Sequence, residues 1–259
     1  MDHKQVEQYL SRIDVAECDN KSYDFLATIQ RNHVLNIDFS NLHMIAGKEL
    51  RWQLSDAFED ILLKRCGGVC FELNNLMYLL LLSLNFDVIL MAAPHVRRRG
   101  DTTVDHAACL VKIDGCQYLV DVADGYYSSR IPVNLNGDVV EDINFSYKVA
   151  NDGHKYTLKV KENDEWNDRY TFNLKPKTIG YFQNEFIGST TEKFFNENVF
   201  LVNTTTVDKR ILFEKRFICF NGKEKRAKDI DENCLQEIIR THFDVPENLI
   251  PTHFPKILP

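Results

Sequence analysis

The chain has 259 residues and a formal net charge of −7, with 44% hydrophobic and 27% charged residues. This size allows roughly one large domain or two to three small ones that share a core, and the composition is that of a globular protein. Because the net charge is negative, the composition argues against a general binder of nucleic acids or of anionic membranes.

Targeting and redox features predict a cytoplasmic protein. No apolar stretch follows a basic N-terminus, so no signal peptide is expected, and the apolar run at residues 76–84 is too short to span a bilayer. Seven cysteines without a short repeating frame indicate reduced thiols rather than a disulfide scaffold. We therefore expect neither a membrane nor a nucleic acid among the partners.

The first third of the chain is predicted to be helical. Residues 2–10 and 23–39 carry apolar side chains at mixed spacings of three and four, which is typical of amphipathic helices. A further helix is predicted at residues 70–84, where a nearly continuous apolar run follows the pair Gly67-Gly68.

From residue 87 onward, the pattern changes to strands. Residues 88–93 form an apolar run that ends at Pro94, and residues 107–113 and 116–122 flank Asp114-Gly115, a strong signal for a two-residue hairpin turn. Further strands are predicted at residues 147–149, 156–160, 170–174, 199–202 and 210–217, and a short helix at residues 234–243. Helices followed by antiparallel strands, and then by strands with a closing helix, predict an α+β fold.

The run Cys66-Gly67-Gly68-Val69-Cys70 has several chemical interpretations. A zinc site or a thioredoxin-like redox pair is disfavoured, because three residues separate the cysteines and no second pair stands at ligand spacing. Cys70 instead has the position of a nucleophile. At the first turn of a helix, the helix dipole lowers the pKa of a thiol, and unpaired N–H groups can hold an oxyanion.

The predicted hairpin supplies a base and a carboxylate by geometry. If Asp114-Gly115 is a two-residue turn, His106 lies opposite Ala123. Asp121 then lies on the same face as His106, on the diagonal, with the two backbones about 7–8 Å apart and the side chains within reach. A register shift of one residue would place His106 and Asp121 on opposite faces.

Each of these residues alone has an ordinary structural explanation. A free cysteine is often a small buried hydrophobic residue, a strand histidine usually belongs to the core or surface, and an aspartate often caps a turn. A cysteine-led helix after two glycines, together with a histidine and an aspartate on one face, favours a catalytic set of Cys70, His106 and Asp121.

The segment from Gly67 to Asn74 resembles the nucleophile motif of the arylamine N-acetyltransferases. His106 and Asp121 match that family's histidine and aspartate, and residues 37–42, Ile-Asp-Phe-Ser-Asn-Leu, resemble its N-terminal motif. The similarity covers essentially the whole chain.

The resemblance implies a fold with three parts and a Cys-His-Asp arrangement like that of cysteine proteases. An N-terminal helical bundle at residues 1–86 would carry the nucleophile. A central antiparallel β-barrel at residues 87–190 would carry the histidine and the aspartate, and residues 191–259 would form a C-terminal α/β lid.

The resemblance also implies a ping-pong reaction with acetyl-coenzyme A as co-substrate and without a metal. Cys70 would take the acetyl group, coenzyme A would leave, and an arylamine, an arylhydrazine or an N-hydroxyarylamine would accept the acetyl group. His106 would be the base that generates the thiolate. Asp121 would orient the imidazole and stabilise its charge.

Contacts to the small molecules follow from the same resemblance. Phe39, Val69 and Asp124 are implied in the acceptor pocket, and Thr102 and Gly125 are implied to contact coenzyme A. The three arginines at residues 97–99 have two explanations: a positive patch for the coenzyme's phosphates, or a solvated loop.

Three positions depart from the family pattern. Cys66 stands where the family usually has an arginine, and Ser40 stands where it usually has a glutamate. Because these two positions are expected to pair as ions in the family, their joint alteration predicts a replaced pair rather than a broken one. Asp124 stands where the family usually has a phenylalanine, so we expect a polar pocket wall.

Two other functions stay open at this point. A thiol hydrolase or a transglutaminase-like enzyme uses the same triad on amides, and the acyl donor distinguishes it from the transferase. A catalytically weak, xenobiotic-binding relative is also compatible with the altered positions. The pH dependence of Cys70 alkylation distinguishes it, because an activated thiol is expected to react well below pH ~8.5.

Overall fold

The computed structural model describes residues 1–18, 20–96 and 104–251, and its first third is helical, as predicted. The helices are α1 (His3–Arg12), α2 (Tyr23–Asn36), α3 (Leu42–Ile45), α4 (Leu54–Ala57), which continues as a π-helical turn at Phe58–Leu63, and α5 (Cys70–Ser83). Asp2 and Ser22 cap α1 and α2, because each side chain accepts a hydrogen bond from a backbone N–H three residues later.

The second helix is shorter than predicted. α2 ends at Asn36, and Phe39–Ser40 forms a strand, β1, where the sequence predicted helix up to residue 39. Phe39 forms a bridge with Gly68, and Ser40 N–H donates to Gly68 O at 2.9 Å. Tertiary pairing therefore overrides the helical spacing in this segment, and it brings Phe39 beside the glycine turn.

Two open antiparallel sheets follow the helices. The first contains β2 (Asp87–Ala92), β3 (Ala107–Ile113), β4 (Cys116–Val120) and β5 (Val133–Asn134), and the second contains β6 (Val140–Glu141), β7 (Ser146–Asn151), β8 (Tyr156–Glu162) and β9 (Glu165–Phe172). An isolated bridge between His95 and Tyr170 links the sheets at one corner. The expected closed β-barrel is wrong, because the two-residue edge strands β5 and β6 form no ladder with each other in the described residues.

The predicted hairpin has the predicted register. Cys109 pairs with Val120, and the pairing continues to the residues on either side of Asp114-Gly115, which is a two-residue turn. Asp114 has φ 49° and Gly115 has φ 81°, the left-handed backbone that a type I′ turn requires at both positions. This register determines where β3 begins and β4 ends.

The C-terminal part is a five-stranded sheet in the order β1-β10-β11-β12-β13. Its new strands are β10 (Phe200–Thr204), β11 (Asp208–Phe213), β12 (Arg216–Asn221) and β13 (Glu224–Asp229). The predicted strand at residues 210–217 is divided in two by a turn at Glu214, which has φ 53°. Because β1 comes from the helical segment, the first and third parts of the chain share one sheet.

Three more helices surround these sheets. α6 (Ile179–Phe186) and α7 (Thr190–Glu197) precede the C-terminal sheet, and α8 (Leu235–His242) packs on it. α5 lies at the centre of the fold, where Leu73, Leu76, Leu80 and Leu81 are fully buried and each contributes about 1.5–3 kcal/mol. Although α5 is apolar, no helix in the described ranges is long and apolar enough to cross a membrane.

Candidate active site

The turn that precedes Cys70 packs directly on β1. Gly67 has φ +64°, and a Cβ at this position would lie 2.8 Å from both Asp38 O and Ser40 Cβ. A Cβ at Gly68 would lie 2.8 Å from a buried isoleucine side chain. Gly67 therefore requires glycine, Gly68 leaves little room for a side chain, and the turn delivers Cys70 to the first position of α5.

The Cys70 side chain is buried at the start of α5, next to the imidazole of His106. Its sulfur lies 3.6 Å from Asp105 O, and the imidazole of His106 is the group that lowers its pKa. His106 Nε2 lies 2.7 Å from Asp121 Oδ2, so Nδ1 is the ring nitrogen left to face the sulfur. The structure thus brings together the three residues that the sequence nominated, in the order thiol, imidazole, carboxylate.

Two further side chains hold Asp121, and sequence reasoning missed both. Tyr170 OH donates to Asp121 Oδ2 at 2.9 Å, and Asn74 Nδ2 donates to Oδ1 at 2.9 Å. Ala123 N–H also donates to Oδ1, at 3.0 Å. Asn74 lies four residues after Cys70 and therefore on the same face of α5, so its spacing in the sequence could have identified it. Tyr170 arrives on β9 without a local signal.

The electrostatics couple the thiol to the imidazole. Burial by itself lowers the pKa of His106, but the charge and hydrogen bond of Asp121, assisted by Cys70, outweigh burial and hold this pKa well above its usual range. Burial raises the pKa of the Cys70 thiol, and the hydrogen bond and charge of His106 oppose that rise. The sequence predicted a thiol pKa lowered by the helix start. In the folded chain, burial is the largest influence on this pKa and raises it, whereas the hydrogen bond and the charge of His106 favour the thiolate.

A buried ion pair, which sequence reasoning also missed, lies beside the turn that precedes Cys70. Arg51 Nε lies 2.7 Å from Glu72 Oε1, and Arg51 Nη2 donates to Gly67 O at 3.1 Å. Glu72 accepts the N–H of Val69 at 2.9 Å, and His43 Nε2 lies 3.4 Å from the same carboxylate. The alteration at Ser40 and Cys66 predicted a replaced ion pair, and that replacement stays a prediction. The buried ion pair observed in this region joins Arg51 to Glu72.

A cavity of about 430 Å³ opens beside Cys70 and His106. Its volume lies in the range that is typical of small-molecule sites. Gly125 lines the cavity, and a Cβ at this position would lie 2.9 Å from a phenylalanine ring atom. The aromatic part of the lining consists of Phe39, Phe194, Phe195 and Phe200.

Another part of the lining is polar. His95 Nδ1 lies 2.8 Å from Asp105 Oδ2, and His95 Nε2 lies 3.0 Å from Asp124 Oδ1. Arg169 donates to Asp124 through Nε at 2.9 Å and through Nη2 at 2.6 Å. Burial raises the pKa of Asp124, but the charges of Arg169 and His95 outweigh burial and hold this pKa well below its usual range. Asp124 therefore makes the cavity wall polar, and its carboxylate is paired with Arg169 and His95 rather than left as an unpaired charge.

The remaining predicted contact residues are Val69, Thr102 and the arginines at residues 97–99. Val69 is fully buried, packs in the core, and is not among the described residues that line the cavity. Thr102 and the arginines at residues 97–99 lie outside the described residues. Within the described part of the chain, no group of three or more side chains converges to hold a metal ion.

A family model described as an N-acetyltransferase matches residues 22–249. The chain belongs to the arylamine N-acetyltransferase family. Arylamine N-acetyltransferase 1 of Homo sapiens is 22% identical over 281 residues, which cover 96% of this chain and 97% of the human protein. The uncharacterized acetyltransferase YvcN of Bacillus subtilis (strain 168) is 22% identical over 236 residues, which cover 88% and 93%. As a member of this family, the protein is an acyltransferase.

Solved structures of arylamine N-acetyltransferases have the same fold. The Mycobacterium smegmatis enzyme matches with a TM-score of 0.85 at 22% identity, covering 98% of this chain and 95% of that one. A Bacillus cereus enzyme, described as having a unique Cys-His-Glu catalytic triad, matches with a TM-score of 0.80 at 21% identity, covering 95% and 99%. At these identities, the likeness establishes the α+β fold of the family for this chain.

Proposed function

We propose that this protein transfers an acetyl group from acetyl-coenzyme A to an arylamine, an arylhydrazine or an N-hydroxyarylamine by a ping-pong mechanism. The observation that carries the proposal is the chain of contacts from the buried Cys70 thiol through His106 to Asp121, beside a cavity of small-molecule size. Membership of the family supports the acyl-transfer class of reaction.

In the first half-reaction, the Cys70 thiolate attacks the thioester carbonyl of acetyl-coenzyme A. The carbon–sulfur bond to coenzyme A then breaks, and the departing thiolate takes a proton from the imidazolium of His106. The products are acetyl-Cys70, the coenzyme A thiol and a neutral imidazole. Within the described residues, the N–H groups of Val69 and Glu72 are engaged, whereas those of Cys70 and Phe71 have no hydrogen-bond partner and can donate to the tetrahedral oxyanion.

In the second half-reaction, the amine of the acceptor attacks the acetyl carbonyl. Neutral His106 accepts the proton of the amine, and the carbon–sulfur bond of acetyl-Cys70 breaks. This step restores the thiolate and the imidazolium and releases the acetylated amine. Asp121 keeps the imidazole in place and stabilises its positive form in both steps.

The contacts with coenzyme A, the cellular location and the domain division are part of the same proposal. The position of Gly125 in the cavity lining supports a contact with coenzyme A. A second contact, by Thr102, is proposed from the resemblance of the chain to the family alone. None of the seven cysteines forms a disulfide, which supports a cytoplasmic location. We also propose that the chain divides into a helical part at residues 1–86, a part with sheets at 87–190 and a lid at 191–259.

Acetylation of the enzyme without acceptor tests the proposal. We expect acetyl-coenzyme A alone to add one acetyl group to the protein, located on Cys70 by intact-mass and peptide mass spectrometry. Cys70→Ser is expected to lose transfer by about 10³-fold or more, because the hydroxyl is a far weaker nucleophile. Wild-type transfer rates in Cys70→Ser would contradict the proposal, and acylation of Cys70 by an amide donor instead would favour a thiol hydrolase or a transglutaminase-like enzyme.

A further inference from the structure

A second histidine ring lies against the imidazole of His106. The ring of His95 packs on the rings of His106 and Tyr170, at centroid distances of 5.0 Å and 5.9 Å, and the latter two rings lie 5.2 Å apart. The backbone of His95, between β2 and β3, also forms the isolated bridge to Tyr170. Because Tyr170 holds Asp121, His95 contacts both the imidazole and one of the groups that fix its carboxylate partner.

The imidazole of His95 bridges two carboxylates. Its Nδ1 lies 2.8 Å from Asp105 Oδ2, and its Nε2 lies 3.0 Å from Asp124 Oδ1. The backbone N–H of His95 donates to the other oxygen of Asp105, at 2.9 Å. Only a ring with hydrogens on both nitrogens donates at both ends. One side chain thereby joins the segment before β3 to the segment after β4.

Both carboxylates of this bridge lie beside the residues proposed to carry out the reaction. Asp105 directly precedes His106, and its backbone O lies 3.6 Å from the Cys70 sulfur. Asp124 lies three residues after Asp121, beyond the end of β4. The bridge therefore sets the separation between the segment that carries the imidazole and the segment that carries its carboxylate.

Arg169 completes the arrangement on the side of β9. It holds both oxygens of Asp124, with Nη2 at 2.6 Å from Oδ1 and Nε at 3.0 Å from Oδ2. Arg169 directly precedes Tyr170, whose hydroxyl donates to the carboxylate that pairs with His106. The contacts therefore form a closed ring, which leaves the His95 bridge on one side and returns to it through Asp124.

The contacts of His95 assign it a role inside the protein. Its side chain lines the cavity and is 17% exposed, yet both ring nitrogens already face carboxylates. An imidazole has no further nitrogen with which to donate to or accept from a substrate. His95 therefore acts through the groups that it holds, rather than on the reacting atoms.

We propose that His95 is a positioning residue, which holds the ring of His106 between the Cys70 sulfur and Asp121. Without the bridge, the segments on either side of the ring are free to shift, and a displacement of about 1 Å costs up to about a hundredfold in rate. The effect of the bridge on acetyl transfer rests on the proposed function. Its effect on the Cys70 thiolate does not, because the thiolate needs the imidazole with any acyl donor.

Alkylation of Cys70 by iodoacetamide reports the position of the imidazole without an acyl donor. His95→Phe keeps a ring in the cluster and removes both bridging nitrogens. We expect the pH profile of Cys70 alkylation to shift to higher pH and the rate at about pH 7 to fall by about tenfold or more, because a displaced His106 stabilises the thiolate less. Acetylation of Cys70 by acetyl-coenzyme A is expected to slow by a similar factor.

Asp124→Asn tests the same bridge from its other end and gives an independent answer if His95→Phe does not fold. The carboxamide keeps the size of the carboxylate and removes its charge, so we expect the pH profile to shift in the same direction. Because both substitutions break one bridge, the double variant is expected to react no more slowly than His95→Phe alone. Additive losses would show that the two residues act separately and would overturn the proposal.

His33→Phe is the matched control. His33 is a fully buried histidine, and its Nδ1 lies 2.8 Å from Tyr9 OH, a contact that joins α1 to α2. Its replacement is expected to lower the free energy of unfolding in urea and to leave the pH profile of Cys70 unchanged. In every variant, protection of the buried Cys109 thiol from iodoacetamide shows that the fold is intact.

The remaining outcomes are distinct. An unaltered Cys70 profile in His95→Phe, with Cys109 protected, would overturn the positioning role. A change in KM for the acceptor alone, with the acetylation of Cys70 unaltered, would make His95 a substrate contact and would also overturn it. Failure of the proposed function appears separately, as a wild-type protein that gains no acetyl group from acetyl-coenzyme A, and the alkylation profiles still decide the role of the bridge.

Discussion

At the scale of single residues, Asp121 is the hydrogen-bond partner of the His106 imidazole. Its Oδ2 meets His106 Nε2 and Tyr170 OH, and its Oδ1 accepts from Asn74 and from Ala123 N–H. Burial, joined by the charge of Asp121, raises the pKa of Tyr170 well above its usual range, so this hydroxyl is a neutral donor. Three groups besides the His106 imidazole therefore hold the Asp121 carboxylate in place. The position of the carboxylate in turn sets the orientation of the His106 ring.

Removal of the charge at Asp121 is expected to lower the reactivity of the Cys70 thiol. In Asp121→Asn, the largest influence that raises the pKa of His106 is lost, and burial then favours the neutral ring. Without an imidazolium beside it, the thiol keeps its proton. We expect alkylation of Cys70 by iodoacetamide to shift to higher pH and kcat/KM for acetyl transfer to fall by about 10³–10⁴-fold.

Alkylation at Cys109 provides the internal control for this measurement. Cys109 is fully buried like Cys70 and contacts Asn74 O, and burial also raises the pKa of its thiol well above the usual range. Its labelling therefore reports opening of the fold rather than activation. An unaltered pH profile at Cys70 in Asp121→Asn, with Cys109 protected, would show that the imidazole does not depend on this carboxylate.

At the scale of elements, the start of α5 is held by a charged clamp. Glu72 accepts the N–H groups of Val69 and Arg51, at 2.9 Å and 3.0 Å, and it also pairs with the Arg51 side chain. Burial raises the pKa of Glu72, but the charges of His43 and Arg51 outweigh burial and hold it well below the usual range. Because Arg51 also holds Gly67 O, the clamp joins both ends of the turn that presents Cys70.

Removing one partner of this ion pair is expected to lower the free energy of unfolding more than replacing both partners. Arg51→Met leaves the Glu72 carboxylate buried without its arginine partner, and we expect the free energy of unfolding to fall by about 3–5 kcal/mol. Arg51→Met combined with Glu72→Gln is expected to recover most of this loss, because the amide oxygen still accepts the N–H of Val69. Urea unfolding of the two variants and the wild type measures the difference.

An arginine on the surface provides the comparison. Arg65 pairs with Asp244 at 3.4 Å, and both side chains are more than half exposed. Arg65→Met is therefore expected to change the free energy of unfolding by less than about 1 kcal/mol. A double variant at positions 51 and 72 that is as unstable as Arg51→Met alone would refute the clamp as an electrostatic device.

At the scale of the whole molecule, a buried lysine joins the C-terminal sheet to the segment that follows Asp121. Lys209, on β11, is fully buried, and its Nζ donates to Ser128 O at 2.8 Å and to Tyr126 O at 3.2 Å. Burial, joined by the charge of Arg130, lowers the pKa of Lys209 to about 7. The residue therefore titrates near neutral pH in the folded protein.

This titration gives stability a specific pH dependence. Above pH 7 the folded state releases the proton of Lys209, whereas the unfolded chain, with an ordinary lysine pKa near 10.4, keeps it. The unfolded state then binds more protons, so the contribution of Lys209 to the free energy of unfolding rises with pH. Between pH 7 and pH 8.5 the expected rise is roughly 1–2 kcal/mol.

Lys209→Met tests this dependence with nearly conserved side-chain volume. Urea unfolding at pH 7 and pH 8.5 is expected to show the rise in the wild type and its absence in Lys209→Met. Lys155→Met, at an exposed position, is expected to keep the wild-type rise. Equal pH dependence in Lys209→Met and the wild type would show that Lys209 does not titrate in this window.

Short-range chemistry made part of this protein predictable. The glycine pair before an apolar run places Cys70 at the start of a helix, because the turn and the helix depend on neighbouring residues. Asp114-Gly115 sets a type I′ turn, and the turn sets the hairpin register that brings His106 and Asp121 together. These features need only residues close together in the chain, so the sequence alone determined them.

Tertiary structure decided the rest, because the deciding contacts join distant segments. The strand at residues 39–40 forms by pairing with β10, and the sheets stay open because their outer edge strands are short. Tyr170 reaches Asp121 from 49 positions away, and Arg169 reaches Asp124 from 45. No local pattern encodes which charged side chain meets a buried carboxylate. The folded packing alone therefore determined that the thiol is buried and that Asp124 is an ion paired with Arg169.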